Sequence, residues 1–305
     1  MATIYAIGRN TFREAVRQPV FWAVILLTVA LMVLTVAFAG FALGEESRLV
    51  RDAGLTSITI AGLLLAIFLS SSVVADEIEK KTALSVLCKP VHRQQLICGK
   101  YVGIICAIVA SYLLLSIILL STVWLYESPV RYTSLITSWW GSQPLTQYQL
   151  VEGMPASLAG KPVTLGMLFS FLSVDLAHFA STVFGNLLTG VLLSLCEVAI
   201  LAAAALAVST RLSMILNVCL IFSLFILGHQ VGTLVDVLAG GHSGILVTLV
   251  HRLIPNFEFL NYASDIAFDK LVPISLVGQL ALYTAGWIGI FLLLAIWLFD
   301  QREIA

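Results

Sequence analysis

Residues 75–100 read ADEIEKKTALSVLCKPVHRQQLICGK. They hold eight charged side chains, Asp76, Glu77, Glu79, Lys80, Lys81, Lys89, Arg93 and Lys100, in a chain of 305 residues that is only 11% charged. Apolar runs of about 20 residues flank the segment, the length needed to cross a hydrocarbon core of roughly 30 Å. A mean hydropathy of +1.02 with 60% hydrophobic residues excludes a soluble domain, which runs about 25% charged. The runs do not alternate apolar and polar, which excludes a membrane barrel. The segment is therefore a loop between two spans of an all-α polytopic membrane protein.

Six transmembrane helices are predicted, at 20–43, 56–75, 101–125, 184–209, 212–235 and 273–299. The long N-terminal charged stretch and the long apolar run after it do not fit a signal peptide. Segment 165–185 is long enough to span. However, Asp175 and His178 sit near its centre, and a central Asp costs on the order of 3 kcal/mol, so it is placed at the outer interface. Segment 244–254 is too short to span and fits an outer re-entrant piece between spans five and six, ended by Pro255. Residues 255–259 (PNFEF) are read as an interface-seated turn. Residues 126–183 form an extracytoplasmic insert whose Tyr126, Tyr132, Trp139, Trp140 and Tyr148 suit an interfacial belt. The whole of 1–305 is one transmembrane domain.

Lys and Arg set the orientation. One side of a six-span chain carries Arg9, Arg13, Arg17, Lys80, Lys81, Lys89, Arg93, Lys100, Arg211 and Arg302. The other carries Arg48, Arg51, Arg131, Lys161, Arg252 and Lys270. The richer side is cytoplasmic, so both termini and loop 76–100 face the cytoplasm. A cell membrane is the expected location, the bacterial inner membrane in particular.

Residues 1–19 are amphipathic. Ile4, Ile7, Phe12, Ala15 and Val16 share one helical face; Arg9, Asn10, Arg13, Glu14 and Arg17 take the other, and Pro19 interrupts. Such a helix is expected to lie on the inner leaflet with its arginines among anionic lipid head groups. In the charged loop, Asp76, Glu77 and Glu79 are read as opening a short helix, with Lys80 and Lys81 one turn on. Ala83, Leu84 and Leu87 form an apolar strip, and Pro90 breaks the helix before a second one runs into span three. Positive-inside bias alone needs neither the acids nor the strip. A protruding amphipathic helix is an element a soluble partner can grip.

These residues resemble the cytoplasmic loop of ABC-2-type ABC transporter permeases, in which acids are followed by "GT", "LL", "PV", "R" and "GK". Here the matching residues are Thr82, Leu84 and Leu87, Lys89-Pro90-Val91, Arg93, and Gly99-Lys100. Thr11, Glu14, Ala15, Arg17 and Pro19-Val20-Phe21 resemble the family's N-terminal elbow helix. Ser209-Thr210-Arg211-Leu212-Ser213 resembles its turn between spans four and five, and Phe299-Asp300-Gln301-Arg302-Glu303 its "F..RE" ending. Lys81 stands where the family often has Gly, and 126–183 resembles nothing in it. The resemblance implies a dimerising permease, of like or unlike chains, that grips a separate ATP-binding subunit and exports a substrate. Coupling would fall on Asp76, Glu77, Glu79, Lys80, Thr82, Leu84, Leu87, Lys89, Pro90 and Arg93. Arg9, Arg13, Glu14 and Arg17 would form a second cytoplasmic contact.

The chain itself holds no GxxxxGK[ST] phosphate loop, so ATP and magnesium are expected on the partner subunit, with no cofactor or enzyme activity here. No HExxH is present either, and no metal site or nucleic-acid partner is expected. Glu197 is the one acid well inside a span. It either lines a substrate path or pairs helices, with Asn217, Ser213, His229 and Gln230 of the next span able to satisfy it. Two other readings stay open: a secondary transporter or channel using Glu197, and a non-transporting membrane assembly factor.

Overall fold

The computed structural model describes residues 2–39, 41, 46–79, 93–140, 183–233, 254–268 and 272–301. The described residues form eight helices and no strand. These are α1 (Ala2–Arg17), α2 (Pro19–Ala39), α3 (Glu46–Glu79), α4 (Arg93–Trp140), α5 (Phe184–Ser209), α6 (Met214–His229), α7 (Ala263–Ala267) and α8 (Ile274–Asp300). Five of them, α2, α3, α4, α5 and α8, are long and apolar enough to cross a membrane. The protein is a multi-pass membrane protein.

The predicted fifth span, 212–235, is not a single helix of that length. α6 has 16 residues and ends at His229, with a turn at Gln230 and three more helical residues described beyond it. At 1.5 Å per residue α6 is about 24 Å long, short of a ~30 Å core.

Two helices run longer than their spans were expected to. α3 begins ten residues early, at Glu46, because the charges that read as loop are accommodated there. Arg48 lies over the Phe268 ring, 4.7 Å from its centroid, and Arg51 is buried. α4 has 48 residues, about 72 Å, and takes in 126–140 of the predicted insert with Pro129 inside it. Residues 141–182 of the insert and nearly all of the re-entrant segment lie outside the described residues.

α5 is the centre of the bundle. Leu201, Ala202, Ala203, Ala204, Ala205, Leu206 and Ala207 are all buried, so the helix meets neighbours on every side. α3 and α8 pack on it most extensively, α2 and α4 flank α3, and α6 sits at the edge. Lipid tails are as apolar as Leu, so close packing rather than water exclusion holds such helices together. Glycines mark where this matters. A Cβ at Gly62 would come within 2.5 Å of the Tyr112 hydroxyl and 2.8 Å of Val198, joining α3, α4 and α5 at one level. Gly54 faces Leu119 and Gly190 faces Leu55, so α3 runs antiparallel to α4 and parallel to α5.

Several hydroxyls within the bundle are satisfied locally, as a dry setting favours, while those of Ser70 and Thr284 have no hydrogen-bond partner among the described residues. Thr28 donates to the Val24 carbonyl at 2.8 Å, Ser57 to Ala53 at 2.7 Å and Ser111 to Ile108 at 2.7 Å. Residues 255–257, read as an interface turn, are instead buried against the end of α6. Phe257 is fully enclosed, packs where a Gly228 side chain would be, and donates its amide to the Gly228 carbonyl at 2.9 Å. Asn256 closes the turn by accepting the Glu258 amide at 2.9 Å, and its own amide donates to the Tyr283 hydroxyl at 2.8 Å.

Candidate functional site

Two groupings carry chemistry, one at the end of the bundle that bears α1 and one deep between α3, α5 and α6. At the α1 end, the predicted apolar face of α1 is present but is covered by protein. α1 packs chiefly on the first turns of α4, not on an open face. The seam is built from glycines. A Cβ at Gly99 would come within 2.9 Å of Ile7, and one at Gly103 within 2.5 Å of the Thr11 Cβ and 2.6 Å of the Gly8 carbonyl. Thr11 and Ala15 are buried, whereas Arg9, Arg13 and Arg17 are exposed and Glu14 is half-buried.

The break between α1 and α2 falls at Gln18, since a residue before proline is disfavoured in helix and Pro19 suits the first turn of the next. Gln18 was not singled out from the sequence. Its side-chain amide donates to Ser72 Oγ of α3 at 2.8 Å, tying the elbow to the helix that leads into the charged loop. Asp76, Glu77 and Glu79 do not open a new helix; they close α3, whose last turn holds no basic residue. Arg93 begins α4. Lys80, Thr82, Leu84, Leu87, Lys89 and Pro90 lie outside the described residues. The turn after α5 is held at the same end, with Arg211 Nε donating to the Leu298 carbonyl near the C-terminus of α8 at 3.0 Å. A cation at a helix C-terminus is favourable.

The deep grouping centres on Glu197, 2% exposed. Of the four partners the sequence offered, the structure brings up His229, with Nε2 3.5 Å from Glu197 Oε1. Asn217 is elsewhere. It lies twelve residues from His229 on α6, about 18 Å along the axis, and donates to Ser71 Oγ of α3 at 2.7 Å. Asn217 therefore pairs helices α6 and α3 and does not satisfy Glu197. The 3.5 Å approach of His229 is not an aligned hydrogen bond, and Glu197 Oε1 has no hydrogen-bond partner among the described residues.

A cavity of about 160 Å³ opens beside the pair, with Thr59, Ser194, Phe225 and Asn261 in its wall. The exposed residues of its lining, which mark its mouth, are Thr56 and Ile60 of α3 together with Asn261. No group of three or more His, Cys, Asp or Glu able to hold a metal occurs among the described residues. Tyr112 of α4, fully buried, places its hydroxyl 3.5 Å from Ser194 Oγ behind the cavity. Tyr112 and Ser194 were not legible as site residues, because only the α4–α5 contact brings them together.

A search among curated proteins finds no significant match. A sequence model described as ABC-2 family transporter protein matches residues 5–304, nearly the whole length, and the chain belongs to that family.

Proposed function

We propose that this chain is the permease subunit of an ATP-driven ABC exporter, crossing the membrane six times with both termini in the cytoplasm. It dimerises and couples to a separate ATP-binding subunit through the 76–93 segment and α1. Family membership makes it a transport component of the membrane. One observation supports this use of the segment: both helices that flank it are tied to the elbow made by α1 and the Gln18 break. α3 is tied through Ser72 and Gln18, and α4 through the Gly99 and Gly103 seam. A partner pulling on 80–92 would then move α1, α3 and α4 as one piece. The three acids in the sequence at the end of α3 suit a basic surface on that partner. ATP and magnesium belong to the partner in this reading.

The test is co-expression of the tagged chain with candidate ATP-binding subunits of its host, followed by purification in detergent. Retention by the native chain and release by Glu77→Arg with Leu84→Arg is the expected result. Failure to retain any such subunit, where a known permease pair survives, would remove the reading. A secondary transporter is the competing reading, favoured by the Glu197–His229 cavity alone, and it predicts proton-coupled flux with no ATP-binding partner.

A further inference from the structure

Hydrogen-bond direction decides what the Glu197 cavity lacks. His229 Nδ1 lies 3.1 Å from the Phe225 carbonyl, which can only accept, so Nδ1 carries a proton. In the neutral ring Nε2 is then a lone pair, and it faces Glu197 Oε1 at 3.5 Å. Two acceptors therefore confront one another in a buried place. Thr59 has spent its proton on the Leu55 carbonyl at 3.1 Å, and Ser194 spends its own on the Val191 carbonyl at 3.2 Å or the Tyr112 hydroxyl at 3.5 Å. Their remaining capacity is for accepting. The deep wall around Glu197 is thus rich in acceptors and holds one carboxylate, with the donors of Thr56 and Asn261 at exposed positions of the lining, and the unpartnered atom is a nine-tenths-buried Glu197 oxygen.

We propose that this cavity binds the primary ammonium of an amphipathic organic amine, whose apolar body leaves through the mouth at Thr56 and Ile60. An ammonium has three donors and one positive charge. It satisfies Glu197 Oε1, His229 Nε2 and a hydroxyl together, and neutralises the carboxylate. A metal ion is disfavoured, since there is one carboxylate and one imidazole, while Phe225, Leu55 and Leu260 make much of the wall apolar. Aromatic faces beside a cation are favourable, and Phe225 and Tyr262 supply them. Without ligand, a bare buried carboxylate facing a lone pair is unfavourable, so in this proposal the pair takes up one proton, on Glu197 or on His229. Binding of the ammonium displaces that proton to solvent. The other ionisable groups nearby are the phenols of Tyr112 and Tyr262 and the exposed carboxylate of Glu258, which lies beside Gly232. That the amine is the exported cargo rests on the exporter reading; that it binds does not.

The experiment is calorimetric titration of octylammonium into the full chain in zwitterionic lipid nanodiscs, with empty nanodiscs subtracted and two buffers of different ionisation enthalpy. Octanol and octanoate are the uncharged and anionic controls. Saturable binding, release of about one proton per ligand, and weakening by about tenfold or more in Glu197→Gln are expected. His229→Phe, which keeps an aromatic ring but removes the second acceptor, should also weaken binding and provides the test if Glu197→Gln does not purify. No saturable binding, equal binding of octanol, or unchanged affinity in both variants would overturn the inference. Amine-stimulated ATP hydrolysis by a purified complex with an ATP-binding subunit tests the exporter reading separately. Binding without stimulation sinks only the cargo role.

Discussion

Replacing Gly103 with Ala tests the α1–α4 seam directly. The added methyl would sit 2.5 Å from the Thr11 Cβ and 2.6 Å from the Gly8 carbonyl oxygen. Carbon contacts are comfortable at about 3.5–4.0 Å, so α1 must withdraw by about 1 Å. No rotamer relieves the clash, because one obstacle is a Cβ and the other is backbone. Overpacking of this kind costs about 1–3 kcal/mol. Alanine also gains about 0.8–1 kcal/mol over glycine in a helix, which would mask part of that loss. Gly286→Ala in α8 isolates the gain, since nothing lies within 4 Å of a Cβ there. The quantity to measure is the stability difference between the two variants, by denaturant titration in mixed micelles, and it should be about 1–3 kcal/mol against Gly103→Ala. On the proposed coupling route, Gly103→Ala should also retain less of an ATP-binding subunit than Gly286→Ala. Equal stabilities within about 0.5 kcal/mol would refute the close-packed seam.

Two further tests probe the interior. In a double-mutant cycle, Asn217→Ala and Ser71→Ala should couple by about 0.6 kcal/mol and no more than about 1.7, since their 2.7 Å bond joins α6 to α3 inside the bundle; additivity would show the bond to be idle. Tyr112→Ala should lose about 3–5 kcal/mol by opening a cavity between α3, α4 and α5, whereas Tyr112→Phe, giving up only a 3.5 Å contact to Ser194, should lose about 1 kcal/mol or less on the same titration.

Five of the six predicted spans and a separate helix before Pro19 were legible because they depend on composition and period. Pro19 stopped one helix and began another, as its missing amide dictates. Features that depend on partners were not legible. Arg48 and Arg51 look like loop charges until Phe268, more than 200 residues away, is placed beneath one of them. The apolar face of α1 looks like a lipid-facing surface, and only the run Gly99 to Gly103 hints that a helix can come that close. Glu197 was visible as an isolated acid. Its neighbour could have been any of several polar groups on the next helix, and the choice fell to register: His229 reaches its level and Asn217 does not.

The two groupings share α3. Ser71 and Ser72 stand at its lower third, bonded to Asn217 of α6 and to Gln18 of the elbow. Thr59, about 20 Å higher on the same unbroken helix, walls the Glu197 cavity. A helix without an internal break transmits tilt with little loss, whereas the Gln18 break and the short α6 are places where geometry can change. On the exporter reading, a pull on 76–93 would tilt α3 about its glycine contacts with α4 and α5, of which Gly62 is the tightest three-way crossing. Gly62 lies between the two groupings, so movement at the coupling end would be opposed at the cavity end. The side chains of Thr56 and Ile60, at the mouth, would swing against α6. Closing the mouth would press Glu197 and His229 together and favour the proton over an ammonium; opening it would favour the reverse. Release of ligand and reprotonation of the pair would thereby be one event, driven from the 76–93 segment.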